Sequence, residues 1–129
     1  MKRFVPFVLA VLLVLATPGI ALAWTSILER SGFRTVHGQT WVENYPRIQF
    51  YAGATEAGST TYFRFAYTVR CQGGFYDADS GQVHDYPFRY WKYIVRIPQP
   101  GIQGRCTIRV AMRAVTPANT NVTLGVNVP

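Results

Sequence analysis

The stretch TYFRFAYTVRC, residues 61–71, alternates between apolar and polar side chains along its whole length. One face would carry Thr61, Phe63, Phe65, Tyr67, Val69 and Cys71. The other would carry Tyr62, Arg64, Ala66, Thr68 and Arg70. A period of two over this length is typical of a β-strand that is buried on one face. Residues 61–71 therefore predict a half-buried strand.

Three later segments repeat this alternation. Residues 105–115 place Cys106, Ile108, Val110, Met112 and Ala114 inward, and Arg105, Thr107, Arg109 and Arg113 outward. Residues 120–128 place Val122, Leu124, Val126 and Val128 inward. Residues 89–97 place Trp91, Tyr93, Val95 and Ile97 together. Weaker strands are expected at residues 26–30, 33–37, 39–43 and 47–51.

Turn residues separate these segments. We expect loops or turns at residues 53–59, 73–74, 98–101 and 117–119, and a hairpin at Asp79-Ser80-Gly81. No segment predicts an amphipathic helix. Short strands with Gly and Pro turns predict an all-β fold: a single-domain antiparallel β-sandwich, immunoglobulin-like or jelly-roll-like, with a small β-barrel as the alternative.

Residues 1–23 have the layout of a secretory signal peptide. Lys2 and Arg3 precede an apolar run, and Ala21-Leu22-Ala23 provides small residues at a cleavage site. An uncleaved membrane anchor is the alternative, because about 20 apolar residues can span a bilayer. We expect cleavage, which leaves residues 24–129 as one β-sandwich domain that is secreted, either extracellular or periplasmic.

The two cysteines agree with export. Cys71 and Cys106 are the only cysteines, and both fall on the apolar faces of their predicted strands. In an oxidising compartment an even number of cysteines favours a disulfide. We therefore predict an intramolecular bridge between two strands, within one sheet or between two. A metal or redox pair fits less well, since there is no Cys-x-x-Cys and neither histidine has ligand spacing to a cysteine.

The late strands resemble those of known extracellular modules. Ile94-Val95-Arg96-Ile97-Pro98, then Gly101 and residues 105–110, resembles the paired late strands of jelly-roll carbohydrate-binding modules and of bacterial immunoglobulin-like domains. Cys71, Trp91 and Cys106 follow the order found in immunoglobulin domains, but the cysteines are too close in sequence for the bridge between the second and sixth strands. The resemblance implies a β-sandwich and assigns no binding residue.

The charge is basic and is carried mainly by arginine. Without residues 1–23 the chain has ten Arg and one Lys against six acidic residues, a net charge of +5. Arg64 and Arg70 lie on one outward face, and Arg105, Arg109 and Arg113 on another. They could bind an acidic polysaccharide or another anionic polymer. The alternative is a solvated sheet face. Nucleic acid is not expected as a partner of an exported chain.

Aromatic residues form a second candidate surface. Tyr86, Tyr90 and Trp91 belong to a segment too rich in rings for all of them to face inward. Exposed rings could contact carbohydrate or an envelope protein. The alternative is that they pack in the core.

Asp77, Asp79 and Asp85 could supply oxygen ligands to Ca²⁺ next to Gly81. The third alternate position is Gly81 and no distal Glu follows, so a polar turn is the alternative. No other cofactor is expected.

Catalytic signatures are absent from the sequence. His37 and His84 are the only histidines, and the serines lie in no nucleophile-elbow context. The first hypothesis is therefore a non-catalytic binding or structural module of the cell envelope or extracellular matrix. The second is a self-assembling surface or fibre subunit, a homo-oligomer that pairs through an exposed edge at residues 122–128. The third is a small secreted hydrolase. Membrane association is expected only if the signal peptide at residues 1–23 stays uncleaved.

Overall fold

The computed structural model of the chain describes residues 24–55, 62–85 and 90–129. The predicted signal peptide at residues 1–23 lies outside this part. The strands are β1 Thr25–Phe33, β2 Thr35–Glu43, β3 Arg47–Ala54, β4 Tyr62–Cys71, β5 Tyr76–His84, β6 Trp91–Arg96, β7 Arg105–Thr116 and β8 Asn121–Val128. A single helical turn, α1 Pro100–Gln103, precedes β7. No helix of the described residues is long and apolar enough to cross a bilayer.

The strands form two antiparallel four-stranded sheets that pack face to face. The first has the order β1-β8-β3-β6 and the second β2-β7-β4-β5. The predicted β-sandwich is confirmed. The barrel alternative is wrong, because each sheet keeps two edge strands.

The pairing order decides between the two predicted sandwich types. Strand β1 pairs with β8, β2 with β7, β3 with β6 and β4 with β5. The chain is thus a long antiparallel hairpin, wound so that successive strands alternate between the sheets except at β4–β5. Eight strands in two sheets with this winding form a jelly roll. An immunoglobulin sandwich would instead place β2 beside β1 and β5.

The core fills the space between the sheets with the alternating apolar residues. On β4 the side chains of Phe63, Phe65, Tyr67, Val69 and Cys71 are all buried, as are those of Cys106, Ile108, Val110, Met112 and Ala114 on β7. Ring pairs such as Phe50–Tyr67, with centroids 4.9 Å apart, join the two sheets. The predicted inward faces of β4, β7 and β8 are confirmed for the described residues.

The predicted disulfide between Cys71 and Cys106 is present. The two cysteines are directly opposed on neighbouring strands β4 and β7, with Cα atoms 3.9 Å apart. The bridge therefore lies within one sheet. It ties together the two central strands of the β2-β7-β4-β5 sheet.

The hairpin predicted at Asp79-Ser80-Gly81 is wrong. These residues lie in the middle of β5, where Asp79 pairs with Tyr67 and Gly81 with Phe65. The turn between β4 and β5 is the one predicted at residues 73–74: the Cys71 amide donates to the Phe75 carbonyl at 2.9 Å, and Gly74 has φ +110°. As an edge strand, β5 tolerates polar residues and Gly because only one of its sides must pair.

Two further expectations need correction. The two strands predicted at residues 33–37 and 39–43 are one strand, β2, which begins at Thr35 because Arg34 forms the turn between β1 and β2 with φ 70°. Edge pairing by residues 122–128 is also wrong, since β8 lies between β1 and β3. The face of β8 that points away from the core is covered as well. The Thr123 side chain on this face is buried, and its hydroxyl forms hydrogen bonds with the hydroxyls of Ser31 and Thr55.

Candidate functional site

One face of the molecule collects the predicted arginines. The outward side chains of the β2-β7-β4-β5 sheet include the exposed Arg64, Arg70, Arg105, Arg109 and Arg113. We call this surface the Arg face. It carries five of the nine arginines in the described part of the chain. Glu43, opposite Arg105, is the one carboxylate that the strand register places on it among the described residues. The two predicted stripes are therefore one surface.

The strand register arranges these arginines at two ends of the face. Arg64 and Arg113 are directly opposed on β4 and β7 at one end. At the other end Arg109 is opposite Thr68, and Arg70 is opposite Thr107. Positions 107 and 113 are six residues apart on β7, which corresponds to about 20 Å along a strand.

A shallow groove runs between the two ends. Its middle is floored by Ala66 and Ala111, small residues that keep the sheet surface low. A depression of about 310 Å³ next to Arg64 and Arg113 shares His37 and both alanines with one of about 510 Å³ next to Arg109. Small side chains between cationic ends leave room for an extended ligand.

Neighbouring side chains orient three of the guanidinium groups. The Arg109 Nε donates to the Gln39 Oε1 at 2.9 Å. The Arg105 guanidinium lies 4.2 Å from the centre of the Trp41 ring, and that of Arg70 lies 4.8 Å from the centre of the Tyr76 ring. Such cation–π contacts hold an Arg in place without neutralising its charge. By contrast, no hydrogen bond or ion pair holds Arg64 or Arg113 within the described residues.

Trp41 and Tyr76 are site residues that sequence reasoning missed. Both are about half exposed, at 53% and 54%, on opposite edges of the Arg face. A signal was present, because alternation along β2 places Trp41 on the same side as His37 and Gln39. For Tyr76 the same alternation could not be used, because the hairpin wrongly predicted at residues 79–81 interrupted the strand to which Tyr76 belongs.

The predicted aromatic surface is not part of the Arg face. Trp91 belongs to β6, in the other sheet, and packs inward on Phe65 with ring centroids 4.9 Å apart. Tyr90 is partly exposed and lies against Tyr51, at 5.6 Å between ring centroids. Tyr86 lies outside the described residues. The structure therefore does not join Tyr90 or Trp91 to the arginines.

The three aspartates proposed for Ca²⁺ are not brought together. Asp77 and Asp79 lie on one face of β5, and the Asp77 Oδ2 accepts a hydrogen bond of 3.0 Å from the Tyr67 hydroxyl. Asp85 is buried, and its Oδ2 accepts from the Ala54 amide at 2.9 Å. Asp79 and Asp85 are six residues apart, about 20 Å along an extended strand. Within the described ranges no three His, Cys, Asp or Glu side chains form a group suited to a metal ion.

Each of two clefts is lined by a single carboxylate or histidine of the described residues. His37 lines the groove of the Arg face, and Asp79 lines a separate cleft between β5 and β6. Neither cleft has a second carboxylate or histidine among the described residues that line it. A glycosidase needs two facing carboxylates, and a nucleophile needs an adjacent base.

No family model, curated protein or solved structure matches this chain.

Proposed function

We propose that the protein is a secreted, non-catalytic binding module of the cell envelope or extracellular matrix that holds an anionic polymer on its Arg face. One observation carries the proposal. The arginines form two cationic ends joined by a groove with a small-residue floor. A small anion reaches one end only, whereas an extended polyanion contacts both.

Arginine suits this task because its planar guanidinium binds carboxylate, sulfate and phosphate groups with two parallel hydrogen bonds. Binding of this kind releases counterions and weakens steeply as salt concentration rises. Export supports an acidic polysaccharide as the polymer, because such chains occur outside the cell. The leader layout and the Cys71–Cys106 disulfide support export.

The test is calorimetric titration of the mature chain, residues 24–129, with polygalacturonate. We expect affinity to fall at least about tenfold between about 50 and about 200 mM salt. The double variant Arg64→Gln/Arg113→Gln should lose most of the binding. The control Lys92→Gln/Arg96→Gln removes the same charge from exposed positions on β6, in the other sheet, and should change affinity less than about twofold.

Equal losses in the two double variants would show that net charge alone attracts the polymer, and would overturn the Arg face as a site. Polyphosphate and neutral dextran serve as further probes in the same experiment. Tighter binding of polyphosphate would change the polymer class. Equal binding of neutral dextran would contradict the electrostatic mechanism.

A further inference from the structure

A second cleft opens at one side of the sandwich, and Phe65 and Ser80 border both this cleft and the Arg groove. At this side lie the two edge strands β5 and β6, which belong to different sheets. The cleft has a volume of about 200 Å³ and is lined by Phe65, Tyr67, Asp79, Val83, Trp91 and Tyr93, together with Ser80 and Gly81 of β5. Ligand pockets for drug-sized molecules are usually larger, at about 300–1,000 Å³. The cleft therefore fits a single small group.

Aromatic rings supply most of its wall. Trp91 and Tyr93 follow one another on the inner face of β6, with parallel rings whose centroids are 6.0 Å apart. Tyr93 also packs on Tyr67 at 5.7 Å and remains 42% exposed. The faces of these rings carry the negative part of their quadrupole, which attracts cations.

Carboxylates make the same region acidic. Asp79 lines the cleft, and its Oδ1 accepts from the Ser80 amide at 2.8 Å. Asp77 lies two residues away on the same face and holds the Tyr67 hydroxyl. Burial, helped by hydrogen bonds to Tyr93 and Asp77, raises the pKa of Tyr67, so its phenol stays a neutral donor. No basic residue lines the cleft among the residues described.

The wall of the cleft offers ring faces and few acceptors besides the Asp79 carboxylate, and this narrows the kind of cation. A primary ammonium brings three N–H donors, and each donor that stays unpaired on burial is costly. The Tyr67 hydroxyl already donates a hydrogen bond to Asp77. The side chain of Ser80 lies on the opposite face of β5 from the inward residues Asp79 and Gly81. A quaternary ammonium has no N–H donors and needs only ring faces and a nearby negative charge.

We propose that the cleft between β5 and β6 binds a quaternary ammonium group through Trp91, Tyr93 and Asp79. The group could belong to a choline-type molecule or to a trimethylated lysine. Both present the same N-trimethyl head, and the two sources are separated by experiment. This site is independent of the Arg face and of the polymer proposed there.

The test titrates the mature chain with tetramethylammonium chloride, using sodium chloride at equal ionic strength as the blank. The Trp91 indole N–H resonance, assigned with Trp91→Phe, reports occupancy. We expect saturation with a dissociation constant on the order of 1 mM, within reach of so small a ligand. Choline and a trimethyl-lysine peptide follow as separate probes. Tighter binding of one over the other identifies the source.

Matched variants keep the proposal falsifiable. Asp79→Asn alters an exposed edge position, and Tyr93→Leu removes a ring but keeps an apolar side chain. We expect each to weaken tetramethylammonium binding at least about tenfold, since both the charge and the ring face contribute. The controls Glu43→Gln and Tyr76→Leu, both outside the cleft, should change it less than about twofold. Both controls should also leave the Trp91 indole N–H resonance at its wild-type chemical shift.

Two outcomes would overturn the proposal. One is equal binding of 3,3-dimethyl-1-butanol, the uncharged isostere of choline, which would show a merely apolar pocket. The other is a shift of the Trp91 resonance by methyl glucoside and not by tetramethylammonium, which would make the cleft a sugar site.

Discussion

Arg64 and Arg113 lie directly opposite each other on β4 and β7, and both side chains are exposed on the same face of the sheet. Opposed like charges on neighbouring strands destabilise a sheet. Replacing one of them should therefore stabilise the fold while it weakens the proposed polymer site.

The first prediction concerns Arg113→Gln. We expect its free energy of unfolding at low salt to exceed that of the wild type by about 0.5 kcal/mol. The gain should vanish in about 1 M salt, where the screening length is about 3 Å. Urea denaturation at both salt concentrations measures it. Arg96→Gln on β6 serves as the control, and an Arg113→Gln variant less stable than the wild type would contradict the prediction.

The second prediction concerns the disulfide. Cys71 and Cys106 are separated by 35 residues, and closing a loop of that length restricts the unfolded chain. The double variant Cys71→Ala/Cys106→Ala should lose about 4 kcal/mol of the free energy of unfolding. Urea denaturation with and without dithiothreitol checks this. The reductant should destabilise the wild type and leave the double variant unchanged, and a variant with wild-type stability would refute the prediction.

The third prediction concerns Gly125 and Tyr51, which face each other on β8 and β3. The Tyr51 ring occupies the place where a Cβ on residue 125 would lie. Gly125→Ala must displace that ring and should cost about 1–3 kcal/mol of stability. The matched control is Gly81→Ala, because nothing lies within 4 Å of the Cβ position there.

A double-mutant cycle separates steric overlap from other causes. In a Tyr51→Ala background the same Gly125→Ala change should cost at least about 0.5 kcal/mol less, because the ring is gone. Additive costs in the two backgrounds would show that the overlap is not the reason.

The fourth prediction concerns Tyr67 at alkaline pH. Its folded-state pKa lies above the ordinary value of 10.0, mainly because the phenol is buried. The stability that this protonated group contributes is complete below about pH 10 and is lost as the pH rises above it. Urea denaturation over this range should show a steeper decline for the wild type than for Tyr67→Phe. Tyr62→Phe, at an exposed position, should follow the wild type. Parallel curves for wild type and Tyr67→Phe would contradict the assignment.

Local alternation predicted much of the fold. It identified the strands around Phe63 and Ile108 and their buried faces. On a strand buried on one face, the polarity of each residue indicates whether its side chain points to the core or to solvent. It failed in β5, where Asp77, Asp79 and Gly81 show no apolar period. That strand is held by pairing with β4, a partner its own sequence does not reveal. The jelly-roll order depends likewise on distant pairings.

Part of the Arg face could be predicted from the sequence. Arg64 lies seven residues before Cys71, and Arg113 lies seven after Cys106. In an antiparallel pair whose cysteines are directly opposed, these two arginines must also face each other. The sequence did not show whether the disulfide joins neighbouring strands of one sheet or strands of two sheets, and the relative position of the arginines depends on this. The cleft between β5 and β6 gave no sequence signal, because it depends on how two edge strands diverge.

The pairing of β1 with β8 also governs when the chain can fold. Strand β1 gains its partner only when β8 is present, and β2 must likewise wait for β7. Sheets built from such distant segments form slowly, because loop closure precedes the contacts that offset it. A nascent chain of this design therefore cannot complete the β1-β8-β3-β6 sheet until β8 is synthesised. Such a delay would favour the export proposed above, because an incomplete sandwich passes through a membrane pore more readily than a compact one.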